Sequence, residues 1–173
     1  MAGTPKASHG SLDLMTRLEQ LYSRGGLTPG DVAAMIVASE LESVGADAAF
    51  VATVVEDGRT LEVARVTPYS AHPVRLAFPV DARYPLAEAV RSGRSLFIAS
   101  NEQLSCDHPG LLRLKEQDHA CATMPLLRKE GELIGALNLG FEDPHEFTDE
   151  ERVRIARIAE ECADALAAAL DHG

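Results

Sequence analysis

Three cysteines are the side chains best able to do covalent chemistry in this chain of 173 residues. A cysteine thiolate can attack an electrophile or form a disulfide with a second cysteine. Cys106, Cys121 and Cys162 are odd in number and irregularly spaced, unlike the disulfide framework of a small secreted protein. We therefore expect free thiols.

The histidines do not form a metal-binding motif. The sequence contains no C-x-x-C and no H-x-x-x-H, so a zinc site of the usual structural or protease kinds is not expected. His108 and His119 could each supply an imidazole, but neither lies in a motif that demands a ligand. The sequence predicts no metal site.

Composition and charge argue against several classes of partner. The net charge is -11 and the 16 lysines and arginines are scattered, so the chain should repel nucleic-acid phosphates and anionic lipids. No stretch approaches the roughly 20 apolar residues of a membrane span, and the N-terminus lacks the apolar run of a secretory signal. We expect a cytoplasmic protein that binds neither nucleic acid nor membrane.

Local signals divide the chain into the elements of one domain. Residues 1–10, rich in Gly, Ser and Pro, predict a disordered N-terminus, and residues 11–172 predict a single domain. The predicted elements are a helix from 11 that ends at 25–26, a helix at 29–44, strands at 50–55, 61–66 and 74–80, a helix at 85–92, a strand at 96–98, an irregular polar loop at 99–109, a short helix at 111–117, strands at 120–127 and 132–140, and a helix from 149 to about 170.

Individual residues mark the boundaries of these elements. Thr28 predicts the N-cap of the second helix, and an Asp-Gly pair predicts the first hairpin. Pro79 makes the third strand an edge strand. Thr148 and Glu151 form the pattern of a capping box. The last helix carries an apolar stripe of Ile155, Ile158, Cys162 and Leu166 beside a row of Ala156, Ala159, Ala163 and Ala167, which would allow another helix to approach closely.

The order of elements predicts an α+β fold. Two hairpins imply a mostly antiparallel sheet, and helices at both termini can lie together on one face. The mid-chain helices and the long loop then cover the other face, which makes a natural pocket.

Three segments in the right order resemble the GAF family. Residues 121–139, which contain Ile134-Gly135-Ala136-Leu137, resemble its penultimate hairpin. Residues 146–151 resemble the start of its last helix, and residues 85–98 resemble the helix and strand before its pocket loop. The resemblance implies a PAS-related six-stranded antiparallel sheet with terminal helices on one face and a ligand pocket on the other. It also implies a homodimer through those helices, with contacts at Leu14, Leu18, Ile155, Ile158 and Leu166.

The ligands known for this family fit the sequence poorly. Cyclic-nucleotide receptors often carry Asn-Lys on the last strand, but here Leu139 follows Asn138. Bilin-binding members attach the chromophore through a pocket cysteine, whereas Cys106 lies too early in the chain, and aromatic residues make up 5% of it. Haem would need His108 or His119 as axial ligand. The ligand and any cofactor therefore stay unknown.

One alternative is catalytic. Free methionine-R-sulfoxide reductase is a stand-alone protein of this family that works through cysteine thiolates. In this chain only Cys106 and Cys121 could cooperate, because Cys162 lies on the apolar stripe of the last helix. That enzyme also binds its substrate through an acidic run of residues, and here the matching run is Leu137-Asn138-Leu139-Gly140.

Strand alternation predicts which residues line the pocket. Leu137 and Leu139 should face the terminal helices, which turns Asn138 toward the pocket. The full predicted lining is Phe78, Ile98, His108, Leu111, Ala122, Met124, Ala136 and Asn138. We expect a regulatory sensor for a small organic molecule with no catalytic residue. The alternatives are a ligand-free dimerisation module and a reductase. Whether the chain acts alone or within a larger protein is left open.

Overall fold

Residues 26–55, 58–68, 73–112 and 119–172 are described in the computed structural model. In chain order they form α1 (Pro29–Ala38), α2 (Leu41–Val44), β1 (Ala48–Val55), β2 (Thr60–Val66), β3 (Val74–Pro79), α3 (Pro85–Ser92), β4 (Leu96–Ile98), α4 (Asn101–Asp107), β5 (Ala120–Leu127), β6 (Leu133–Phe141) and α5 (Asp149–Asp171). The predicted N-terminal helix with Leu14 and Leu18, the segment 1–10 and residues 113–117 lie outside the described residues.

The six strands form one antiparallel sheet in the order β3-β2-β1-β6-β5-β4. Both predicted hairpins are present, as β1–β2 and β5–β6. The strand that ends at Pro79 lies at the edge of the sheet, as a residue without a backbone donor requires. The predicted α+β class and six-stranded sheet are confirmed.

The close approach of β6 to β1 depends on a glycine. Gly135 pairs with Thr53, and a Cβ added at Gly135 would lie 2.0 Å from the carbonyl oxygen of Ala52. That separation is far inside van der Waals contact, so any side chain here would push the two central strands apart. The glycine of the Ile134-Gly135-Ala136-Leu137 motif is thus required by packing.

Helices α1 and α5 cover one face of the sheet, which we call the α1/α5 face. The two helices also contact each other. Ala159 and Ala163 of the predicted alanine row are buried in this layer. Leu137 and Leu139 point into this layer, as predicted, and both are fully buried. The largest of the three hydrophobic clusters among the described residues lies on this face.

The predicted dimer contacts on α5 are wrong. Ile155, Ile158 and Leu166 are at most 4% exposed and pack into the core cluster of their own chain. Their spacing reflects the face that the helix turns toward the sheet, and a partner molecule could not reach them.

Helices α3 and α4 cover the other face, which we call the α3/α4 face. Helix α3 packs with its buried Leu86 against Ala52 and Ala136 of the central strands. Helix α4 packs with Leu104 against β4 and Cys121. This face therefore carries two separate apolar clusters.

Two predicted elements differ from the structure. The helix predicted at 29–44 is broken after Ala38, and its second part ends at Gly45, whose φ of 71° is left-handed. The polar loop predicted at 99–109 is largely helix α4. Ser100 Oγ accepts from Gln103 N, and Gln103 Oε1 accepts from Ala99 N, so two side chains satisfy donors at the start of this helix.

The start of α5 keeps half of the predicted capping box. Thr148 Oγ1 accepts a hydrogen bond from Glu151 N. The Glu151 carboxylate lies 2.6 Å from His145 Nε2, so the side chain that should complete the box binds an imidazole instead. Within the described ranges, no helix is both long and apolar enough to cross a bilayer.

Candidate functional site

The centre of the α3/α4 face is formed by β5 and β6. Asn138 points to this face, as predicted, because its neighbours Leu137 and Leu139 point to the other. Ala136 also lies here, in the cluster under α3. The predicted polar group is therefore on the face where the sequence placed it.

Ala122 and Met124 were predicted to accompany Asn138, and this prediction is wrong. The register pairs Ala122 with Leu139 and Met124 with Leu137. Directly paired residues of antiparallel strands point to the same face, so both side chains lie on the α1/α5 face. The sequence interpretation was displaced by one residue on β5, which reverses every side chain of that strand.

Thr123 takes the place that was predicted for its neighbours. Asn138 Nδ2 donates to Thr123 Oγ1 over 2.6 Å, and Asn138 and Thr123 are 8% and 0% exposed. Cys121 Sγ lies 3.9 Å from Thr123 Oγ1. Asn138, Thr123 and Cys121 thus form a buried polar group on an otherwise apolar face. Two polar residues on neighbouring buried strands were the signal in the sequence that could have identified this pair.

The other predicted lining residues fall into two places. Ile98 is buried in the cluster under α4, and Leu111 packs against the same cluster. His108 ends α4, with its backbone N–H donating to Leu104 O. Phe78 belongs to the other cluster and its ring packs edge-on against Tyr84, 5.5 Å away. The structure therefore groups Ile98 with Leu111 and keeps Phe78 apart from them.

The cysteines lie in three different environments. Cys106 is exposed on α4, Cys121 is buried on β5, and all three cysteines are free thiols. Cys162 is buried on the opposite side of the sheet, in the core under α5. Desolvation raises the pKa of the Cys162 thiol from 9.0 to about 12, so it stays protonated at neutral pH. Its burial and its raised pKa place Cys162 poorly for nucleophilic attack.

Phe147 packs at the start of α5. Its ring lies 5.3 Å from that of Phe141 and 5.4 Å from that of Phe97. The stacked pair of His145 and Phe141 extends this cluster. The residue is thus explained by its contacts at the start of α5. Among the residues that the structure describes, no three His, Cys, Asp or Glu side chains are placed to hold a metal ion.

A cavity of about 300 Å³ lies on the other side of the sheet, at the edge formed by β2 and β3. It is lined by Thr28, Gly30, Asp31, Thr53, Glu62, Val63, Ala64, Arg75, Leu76 and Ala77. Asp31 and Arg75 form an ion pair at its wall. None of the predicted ligand residues lines this cavity, so it is a second place in the molecule where polar groups converge.

Comparison with known proteins supports the fold. A family model described as GAF domain matches residues 30–167. A search of curated protein sequences found no match.

Solved structures with the same fold include GAF domains of larger proteins and a reductase. The GAF domain of an Acinetobacter phosphoenolpyruvate-protein phosphotransferase is 14% identical, with a TM-score of 0.63 over 94% of this chain and 96% of that one. The GAF-B domain of DevS from Mycobacterium smegmatis is 19% identical, with a TM-score of 0.61 over 83% and 96%. Free methionine-R-sulfoxide reductase from Neisseria meningitidis, solved with its substrate, is 18% identical, with a TM-score of 0.61 over 100% and 97%. At these identities the likeness concerns the fold.

Proposed function

Because the chain belongs to the GAF domain family, we propose that it is a regulatory domain that binds a small organic molecule on the α3/α4 face. One fold can serve many functions, so the proposal must be supported by a site. The hydrogen-bonded pair Asn138–Thr123, set among small and apolar side chains, is the observation that carries it. A mostly apolar surface with one or two polar groups suits a small organic ligand.

The residues beside this pair are small. Ala136 lies two residues before Asn138 on the same face, and Gly140 lies two residues after it. Asn138 uses its amide nitrogen for Thr123, which leaves the amide oxygen to accept a hydrogen bond from a ligand. We assign Ile98, His108 and Leu111 as contacts from the α4 side, and Phe78 as a contact from the β3 side.

The sheet can couple such a site to the helices. Leu137 and Leu139 flank Asn138 in sequence and pack under α5 on the opposite face. Suppose that β6 and α5 can adopt two arrangements and that the ligand binds one of them more tightly. The ligand then shifts the equilibrium toward that arrangement by the difference in binding free energy. This is the way in which the domain would report occupancy.

The test is native mass spectrometry of the purified full chain, together with thermal unfolding in the presence of a panel of metabolites. We expect a bound small molecule that is released on denaturation, and its loss in Asn138→Leu. Ser105→Ala, which removes an exposed hydroxyl from α4, should keep the molecule. A wild-type protein with no bound molecule and no raised Tm with any compound would contradict the proposal.

The reductase alternative has less support in the described residues. Cys162 is excluded by its burial, and Cys121 is 1% exposed. Loss of free thiols on incubation with free methionine sulfoxide, measured by thiol titration, would favour the enzyme. We expect the three thiols to persist and therefore propose a domain without catalytic activity.

Dimerisation and location complete the proposal. A homodimer through α5 would use outward side chains such as Val153, which is 64% exposed, in place of the buried stripe. Free thiols at Cys106, Cys121 and Cys162 favour a reducing compartment, so we propose a cytoplasmic protein.

A further inference from the structure

Charged side chains are rare in the sheet, and they do not share a face. The six strands, all within the described residues, contain three charged residues, which are Glu62, Arg65 and Arg75. Glu62 and Arg75 line the cavity on the side of α1. Arg65 is paired in register with Phe50, and Phe50 is paired with Asn138. Because directly paired residues of antiparallel strands point to the same face, Arg65 is the charged residue that these strands turn to the α3/α4 face.

The guanidinium of Arg65 contacts an aromatic ring and no acid. Its Cζ lies over the ring of Phe50, 5.7 Å from the ring centroid. Among the residues that the structure describes, no carboxylate pairs with Arg65, whereas Arg75 on the opposite face is paired with Asp31. A guanidinium presents a planar fork of N–H donors that matches a carboxylate, and stacking on a ring leaves that fork unused. Arg65 therefore keeps donors for an anion.

A molecule in solution can reach this part of the face. Arg65 and Phe50 are both half-buried, so each keeps accessible surface. Val74 lies opposite Arg65 on β3 and is 53% exposed, which leaves this end of the face open to solvent. On the other side, Val63 and Ala52 belong to the apolar cluster under α3. A single positive charge beside apolar surface suits an anion that carries one charge and an apolar body.

We propose that the ligand of the α3/α4 face is a small organic carboxylate, whose carboxylate group pairs with Arg65 and whose apolar part lies against Phe50. This inference rests on the regulatory function proposed above and names the class of its ligand. Arg65 and Asn138 stand on strands that flank β1, about 10 Å apart at the backbone, or twice the strand spacing. One small molecule can therefore meet Arg65 at its acid group and the amide oxygen of Asn138 at a hydroxyl or amino group.

The experiment is titration of the isotope-labelled full chain with sodium benzoate and with sodium hexanoate at neutral pH. The resonances to follow are the side-chain Nε–H of Arg65 and the backbone amides of Phe50 and Val74. Benzamide and hexanamide are the matched probes, because each keeps the shape of its acid and lacks the charge. We expect saturable shifts with at least one carboxylate, and binding of its amide that is weaker by about tenfold or more.

Two results would overturn the inference without overturning the regulatory function. Equal affinities for an acid and its amide would show a site on this face that does not select a carboxylate. The absence of saturable shifts with both acids would also overturn the carboxylate, while the regulatory function would still be judged by the native mass spectrometry described above.

Variants at Arg65 locate the carboxylate group. Arg65→Gln removes the charge, so we expect its affinity for the acid to fall to that of the amide. Arg157→Gln makes the same change of charge on the exposed side of α5 and should bind the acid like the wild type. Arg65→Lys keeps the charge without the planar fork, and we expect an affinity between those of the wild type and Arg65→Gln. Wild-type affinity in Arg65→Gln would overturn the pairing.

Discussion

Asn138 and Thr123 lie opposite each other on β6 and β5, joined by a side-chain hydrogen bond of 2.6 Å. The bond lies in a buried part of the sheet where apolar neighbours exclude water. A hydrogen bond in such a place fixes the register of the two strands, because a slip of one residue would leave both groups unpaired. The pair is thus both a structural constraint and the polar centre of the proposed site.

Removal of the Thr123 hydroxyl should destabilise the fold. Thr123→Val leaves the buried amide of Asn138 without its acceptor, so we expect the free energy of unfolding to fall by about 1–3 kcal/mol. Urea unfolding monitored by circular dichroism measures this change. The double variant Thr123→Val/Asn138→Leu should lose less than the sum of the single variants. Strict additivity would mean that the two side chains are not coupled.

The sequence predicted one member of this pair and missed the other, for a physical reason. Asn138 could be assigned because bulky leucines on both sides had to face the helices. The face of Thr123 depends on the register of β5 against β6, which includes a shift between Leu126 and Leu127. Alternation shows which residues of one strand share a face. It does not show which alternate residues of the neighbouring strand point to the same face.

Contacts between residues that are far apart in the chain could not be predicted from the sequence either. Asp31 lies in the first turn of α1, where its carboxylate accepts from Thr28 N. Its ion pair with Arg75 joins residues 44 positions apart and depends on where β3 lies in the sheet. The start of helix α4, by contrast, could have been predicted from the sequence, because Ser100 and Gln103 have the spacing of a capping box.

A side chain at Gly135 should disrupt the centre of the sheet. Gly135→Ala would bring a methyl group against the carbonyl oxygen of Ala52, and the strain can be relieved only if β1 and β6 separate. We expect a loss of about 3 kcal/mol or more, or failure to fold. Gly110→Ala is the matched control, because a Cβ at Gly110 meets nothing within 4 Å. Similar thermal stabilities of the two variants would contradict the close approach.

The buried thiol of Cys162 should make stability depend on alkaline pH. The folded state keeps its proton up to a pKa of about 12, whereas the unfolded state releases it near 9.0. Its contribution is therefore fully present below pH 9 and is lost as the pH rises toward 12, by up to about 1.4 kcal/mol per pH unit. Because tyrosines and lysines also titrate there, the measured quantity is the difference in urea unfolding between wild type and Cys162→Ala. Parallel pH profiles of the two proteins would show that the thiol titrates normally.

Truncation of Leu166 distinguishes a core residue from a dimer contact. The side chain is fully buried against the sheet, so we expect Leu166→Ala to lower the free energy of unfolding by about 2–5 kcal/mol. Glu160→Ala, on the exposed side of the same helix, should change it by less than about 0.5 kcal/mol. The loss in Leu166→Ala should be the same at every protein concentration, and the sedimentation coefficient should not change. If the leucine were a contact between two chains, as the resemblance to the GAF family implied, truncation would instead produce monomers that keep the wild-type secondary structure.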